Sequence, residues 1–419
     1  MSTICLSMIV KNEAHVIERC FDSLIDLIDF YYIVDTGSTD GTQDKIKEYM
    51  KAKGISGQII ERPWQDFATN RSQALEGSKS FGDYSLMIDA DEVLVFDTAF
   101  DTQRFKDSLT FDLYNVITIL NGVHYTRPTL TTNRLRYFYK GVVHELLDCY
   151  DPIVTRGNAE GFHNKPIQDS ARNKEPGCKY LRDIKLIKDA LHKEKDPFMK
   201  SRYTFYLARS YADSGQLRKA MEWYKKRMDQ DFWVEEKFWC AYQVAGLKLH
   251  FKYKIEEVLH GFMEAYELAP WRAEPLYAAA AITRERNMYQ TSYIYAKQAC
   301  GIPLPPDGSL FVAKEIYDFK ALDELAISCF WTKRFDECIN VNNILLQKGT
   351  LPLNDIARIQ KNNVVAQENL TKYQEYMQQQ KENWQNLHEQ TNDPTKPASP
   401  EIEKTAEASK AKAELITQE

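Results

Sequence analysis

Along the first 165 residues, apolar positions gather in short runs of strand length, and stretches with helical spacing separate them. "TICLSMIV", "YYIVDTGSTDGT", "GQIIERP" and "DYSLMID" supply the strand-like runs, while "EAHVIERCFDSLIDL" and "QDKIKEYMKAK" carry apolar residues three and four apart. Strands alternating with helices predict βαβ units and a Rossmann-like, mainly parallel sheet, with ligands at the carboxyl ends of the strands. "LYNVITIL", "TTNRLRYFYKGVVHELL" and "NAEGFHN" are β-like but irregular, which predicts added strands that complete a cleft.

After about Lys165 the period turns helical and stays so. Small and aromatic positions recur at shared offsets: Ala208, Tyr211, Gly215, Ala220 and Tyr224; Ala280, Thr283, Asn287, Ser292 and Ala296; Ala326, Cys329, Lys333, Cys338 and Asn342. The first set, within "FYLARSYADSGQLRKAMEWY", resembles a tetratricopeptide repeat, with small residues where helices touch and Gly at the turn. A plain helical bundle is the competing reading, and the shared offsets favour repeats. Stacked repeats present a concave surface suited to an extended acceptor, and the helical half also gives copies of the chain a place to associate. From "NDPTKPASPEIEKTAEASKAKAEL" on, the chain is polar and poor in aromatics, the composition of a solvated helix or disordered tail. The expected division is an α/β domain over residues 1–165, an all-α repeat-like domain over 166–370, and a tail over 371–419.

Composition narrows the class. A chain of 419 residues has room for two or three domains. Hydrophobic content of 43%, charged content of 27% and a net charge of -6 fit an ordinary globular protein and argue against a general nucleic-acid or anionic-membrane surface. The N-terminus lacks the basic segment of a signal peptide, and no apolar stretch reaches the ~18 residues that span a bilayer. The eight cysteines form no CxxC pair, which disfavours a zinc knuckle and points to reduced thiols, so a cytoplasmic location is expected.

Chemistry concentrates where strands end. In "DYSLMIDADEV" (residues 83–93) an apolar run stops at Asp89, Asp91 and Glu92; carboxylates left unpaired in a core cost several kcal/mol, so the strand should open into a cleft. An acidic helix N-terminus is the plainer reading. The first strand ends at Lys11, Asn12 and Glu13, and the second at Asp35 and Thr36, so two neighbouring strand ends share a crevice. Ser38, Thr39 and Asp40 read as caps of the next helix, whereas Asp35 reads as a ligand for a base or ribose. GxxxxGK[ST] and GxGxxG are absent, which removes the usual phosphate loops. Asp89 and Asp91, alternate residues with hard oxygens, suit Mg²⁺ or Mn²⁺ bridging a diphosphate.

Taken together, "SMIVKNEAHVIERCFDSL", "IVDTGSTDGT", "WQDFATNRSQAL" and "MIDADE" resemble family 2 glycosyltransferases of the GT-A fold, whose Asp-x-Asp motif binds the metal of a nucleotide-sugar. The helical half, with "RAEPLY" and "LDELAIS", resembles the repeat domain of a bacterial and viral branch that includes peptide glycosyltransferases. The resemblance implies a nucleotide-sugar donor, a UDP-sugar by expectation, and a polypeptide or glycan acceptor. It places nucleotide-sugar contacts at Val10, Lys11, Asn12, Glu13, Asp35, Thr36, Arg71, Asp89 and Ala90, and the metal at Asp89 and Asp91. Thr36 stands where many members carry a second acid that contacts the base, so the base is left open. Glu145 in "YKGVVHELL" matches the catalytic carboxylate of inverting members. His163 matches their late metal-binding histidine, with His144 as competitor. Taken singly, Glu145 reads as a surface strand residue and His163 as a loop histidine. Two other classes compete: a helical scaffold carrying an inactive transferase domain, which intact Asp89, Asp91 and Glu145 oppose, and a nucleotidyltransferase, which wants a Gly-rich basic loop where "VKNEAHV" stands.

Overall fold

The computed structural model describes residues 1–391 apart from 121–122, 153, 172–177 and 307. Its first half is a mixed nine-stranded sheet, ordered β3-β2-β1-β4-β7-β6-β11-β5, with β10 beside β6. β1 (Ile4–Val10), β2 (Phe30–Asp35), β3 (Ser56–Glu61) and β4 (Tyr84–Met87) are parallel, and the right-hand neighbour of β4 is the antiparallel β7 (Val123–Thr132). Beyond it lie β6 (Leu113–Leu120), β11 (Phe162–Pro166) and β5 (Glu92–Phe96), while β10 covers Arg156–Asn158. The parallel core is thus four strands, and the irregular later sequence supplies the antiparallel remainder. β4 is buried throughout and β1 at all but one position, which is why both read as continuous apolar runs.

The helices α1 (Ile17–Leu24), α2 (Thr42–Lys53), α3 (Phe67–Ser78) and the short α4 (Thr102–Asp107) connect these strands. Asp66 caps α3 by accepting from the Thr69 amide at 2.8 Å. Gly77 lets α3 lie against β2, since a Cβ there would come within 2.0 Å of the Tyr32 ring. A separate hairpin, β8 (Tyr137–Lys140) and β9 (Leu146–Cys149), sits over α3.

From α5 (Cys178–Lys193) on, the chain is helical: α6 (Pro197–Asp213), α7 (Leu217–Met228), α8 (Val234–His250), α9 (Ile255–Leu268), α10 (Glu274–Glu285), α11 (Tyr289–Cys300), a π-helical turn (Ile316–Lys320), α12 (Ala321–Trp331), α13 (Phe335–Gln347) and α14 (Leu353–Thr391). The three recurrent sets fall on α6–α7, α10–α11 and α12–α13. In each, the third residue, Gly215, Asn287 or Lys333, holds the turn at positive φ, and the other four are buried between the paired helices. A fourth pair, α8–α9, turns at Lys252 (φ 58) and packs Gly261 on Ala245. Ala245 and Gly261 keep the same offsets from the turn residue, but Lys248 and Glu257 stand at the two inner positions, so the pair escaped the pattern. α14 passes through residue 370 unbroken, and residues 392–419 of the expected tail lie outside the described residues. Cys5, Cys20, Cys149, Cys240, Cys300, Cys329 and Cys338 are free thiols.

A buried ionic cluster ties the helical half together. Arg272, with a fully buried side chain, pairs with Glu235 of α8 at 2.6 Å and Glu274 of α10 at 2.7 Å, and donates to the Leu310 carbonyl at 2.9 Å. The same carboxylates accept the Leu310 amide at 3.1 Å and the Ala313 amide at 3.3 Å, fixing the segment that precedes the π-helical turn. Replacing only the cation strands two buried carboxylates, so Arg272→Met is expected to cost about 3–5 kcal/mol in chemical denaturation. Adding Glu235→Leu and Glu274→Leu should recover much of it; a single variant that loses less than about 1 kcal/mol contradicts this assignment.

Candidate active site

The ends of β1 and β2 are laced together by side chains. Asn12, at φ 59, donates its amide to Ser38 Oγ at 2.9 Å, and its own Oδ1 accepts the Thr39 amide at 2.8 Å. The Glu13 amide reaches Thr42 Oγ1 at 2.9 Å, and Thr36 Oγ1 donates to the Val10 carbonyl at 3.1 Å. The expected capping by Ser38 and Thr39 gives way to this loop-to-loop bonding. The N-cap of α2 is Gly41 at φ 85, a left-handed position that suits glycine, and only Asp40 bonds into the first turn, at Thr42.

Asp35 ends β2 fully buried. One carboxylate oxygen accepts the Gly37 and Ser38 amides, each at 2.8 Å, and the other has no hydrogen-bond partner. An orphaned buried carboxylate oxygen is costly, and a donor group of a ligand would satisfy it. Val10 and Ala90 are buried beside these loops, and Lys11 is exposed.

Asp89 follows β4 and meets a cation. Arg71 of α3 donates to Asp89 Oδ1 at 2.6 Å, and its Nε lies 3.6 Å from Glu145 Oε2. Burial opposes the guanidinium charge, but Asp89 and then Glu145 hold the Arg71 pKa above its ordinary value. The Arg71 group also lies over the Tyr139 ring at 5.9 Å. Glu92 accepts the Asp89 amide at 3.1 Å and Arg127 of β7 at 2.6 Å. Arg127 and Tyr139 were not foreseen; Arg127 sits in a strand whose sequence gives no charge motif, and its partner emerges only from sheet order.

Glu145 arrives on the loop between β8 and β9. Gly141, at φ 109, turns the chain out of β8, and Val143 is buried in the apolar core of the helical half beside Met199 and Tyr203. His144 lies flat on Tyr206 of α6, with ring centroids 4.0 Å apart and planes 11° apart, and its carbonyl accepts Arg202 at 2.9 Å.

Asp91 and Glu13 form a second carboxylate group. Burial, then proximity to Asp89, raises the Asp91 pKa. Burial pushes Glu13 up to about 7, assisted by Asp91, Asp40 and Asp89 and opposed by the Ala171 amide. The segment after β11 returns over this group, with the Ser170 amide 3.4 Å from Asp91 and the Ala171 amide 3.3 Å from Glu13. His163 does not join it. It pairs with Val95, whereas the Ile167 amide bonds the Asp91 carbonyl; four residues of strand put His163 roughly 13 Å along the ladder. Nor does His144 complete a set: among the described residues, no three His, Cys, Asp or Glu gather closely enough to hold a metal.

Residues 5–143 match the family model of glycosyl transferase family 2. A TPR repeat-containing protein of Synechococcus elongatus is 31% identical over 35% of this chain and 36% of its own length. An uncharacterized glycosyltransferase of Rickettsia felis is 37% identical over 22% of this chain and 30% of its own, and one of Rickettsia prowazekii is 35% identical over 26% and 33%. The chain thus spans about a third of the length of these curated relatives. Among solved structures, MamA overlays 43% of this chain and 96% of its own at 14% identity and a TM-score of 0.32. The residues matched to glycosyl transferase family 2 take in Asp35 at the end of β2, Arg71 on α3, and Asp89 and Asp91 after β4.

Proposed function

We propose that this chain transfers a sugar from a nucleotide-sugar, with inversion, to a polypeptide or glycan acceptor. The observation that carries the reading is the single guanidinium of Arg71 shared by Asp89, in the Asp-x-Asp motif, and Glu145. It puts a base within reach of the place where a diphosphate would be held. The nucleoside side is received by the β1 and β2 loops, where the unpartnered oxygen of Asp35 accepts a donor from base or ribose. Glu145 takes the proton of the acceptor nucleophile as that nucleophile bonds the anomeric carbon and the bond to the diphosphate breaks. Arg71 holds the carboxylate in place.

Asp89 and Asp91 fit a divalent cation: they are hard oxygen donors, and burial, with repulsion among neighbouring carboxylates added to it, raises the pKa of Asp91 and Glu13, a cost that a cation would relieve. Bound Mg²⁺ or Mn²⁺ would neutralise charge on the departing diphosphate.

A thermal-shift panel of nucleotide-sugars with and without Mn²⁺ tests the reading, since a ligand that binds the folded state raises its midpoint. For a donor that binds, Glu145→Gln is expected to lower kcat about 100-fold or more while donor affinity stays near wild type. Normal kcat in that variant moves the base elsewhere. Asp91→Asn is expected to abolish Mn²⁺-dependent turnover in a chain that melts normally, and wild-type turnover would exclude it as a ligand.

Glu13 adds a pH test without any substrate. The folded chain keeps its proton to about pH 7, whereas an ordinary glutamate releases it near 4.5. Between those values the folded state binds more protons than the unfolded, so stability falls as pH rises through the window and levels off above it. In cation-free buffer the melting midpoint should therefore decline from about pH 4.5 to about 7, and Glu13→Gln should flatten that segment. A wild-type profile as flat as the variant's contradicts the carboxylate cluster.

A further inference from the structure

Arg202, Tyr206 and Arg209 fall at i, i+4 and i+7 on α6, forming one stripe of half-buried side chains on a helix whose other positions between them are buried. The stripe faces the transferase half. Tyr206 stacks on His144, next to Glu145. Arg209 lies over the Phe311 ring at 4.4 Å, and that ring meets Tyr125 of β7 edge-on at 6.4 Å. Tyr125 in turn feels the charges of Arg127, Glu92 and Arg209. The stripe therefore runs from Tyr206, beside the loop that carries Glu145, to Arg209 near Tyr125 of the sheet.

The guanidiniums around this space differ in one respect. Arg71 is satisfied by Asp89, Arg127 by Glu92, and Arg202 by the His144 carbonyl, with Glu236 at 3.8 Å. Arg209 has no hydrogen bond or ion pair among the described residues; its guanidinium lies on the Phe311 ring, and Asp213, one turn on, senses its charge without reaching pairing distance.

We propose that Arg209, flanked by Tyr206 and Phe311, is an acceptor-recognition subsite that takes a single carboxylate of an acidic peptide. The proposal rests on the transferase reading of the Glu145 site. A planar guanidinium offers a fork of donors that matches a carboxylate, and the Phe311 ring on which Arg209 lies backs that fork from one side. One free guanidinium with Asp213 a turn away suits one carboxylate and disfavours a polyanion such as a phosphate-linked glycan, which needs cations in series.

Fluorescence anisotropy on the full chain tests this with three labelled peptides of one Ser/Thr/Gly-rich sequence carrying Glu, Gln or Lys at the same positions, and with linear polyphosphate. The wild type is expected to bind the Glu peptide about tenfold or more tighter than the Gln peptide. Arg209→Gln should erase that difference, and Arg209→Glu should shift the preference to the Lys peptide, a gain that an unfolded variant cannot show. Equal affinity of the wild type for Glu and Gln peptides overturns the proposal. So does tighter binding of polyphosphate that Arg209→Gln removes, which would assign the subsite to a phosphate polymer. Thermal shift with UDP and other nucleoside diphosphates runs alongside: if the wild type binds none of them, the transferase reading fails, while the peptide contrast stands or falls separately.

Discussion

The Arg71 guanidinium is the interaction on which the site depends. It is buried, and burial of a charge is costly unless partners meet it; the partners are one carboxylate from the strand end of the sheet and one from the β8–β9 loop. Without it, Asp89 and Glu145 would face each other as like charges in a poorly solvated cleft, beside Asp91 and Glu13, which already repel. One side chain thus lets the strand ends concentrate negative charge, the feature on which the proposed cation and diphosphate site rests.

The helical half contributes to this geometry directly. Val143, two residues before Glu145, is buried among helical-half residues, and Phe67, in the first turn of the helix that carries Arg71, packs against the same cluster. Two of the three members of the Asp89–Arg71–Glu145 group are therefore held by apolar packing that the sheet alone does not supply. In energetic terms the loop that carries Glu145 is a part of the helical core that happens to end in a carboxylate.

Much of this was legible in the sequence because it depends on local order. The parallel strands announce themselves as apolar runs, and the Asp-x-Asp motif sits at a strand end because its carboxylates cannot follow the strand into the core. The turn residues Gly215, Asn287 and Lys333 appear at a fixed offset because each paired helix must reverse at the same length. What escaped depends on pairing between distant segments. His163 looked like a ligand by its order in the chain, yet the antiparallel register of β11 with β5 carries it along the ladder away from Asp91. Arg127 meets Glu92 only because β7 inserts next to β4. The α8–α9 pair was missed because Lys248 and Glu257 stand at the two inner offsets, although Ala245 and Gly261 hold the outer ones.

The Arg272 cluster carries a consequence for how the molecule opens. Its two carboxylates hold the amides of Leu310 and Ala313, and the segment between them carries Phe311 to the sheet. Charges this deeply buried cannot be exposed one at a time, so the segment should not fray as surface loops do. In hydrogen-exchange terms, those two amides belong with the helix cores, exchanging only when α8 and α10 part, and the wall they support keeps its shape through the smaller, faster openings of the surrounding surface.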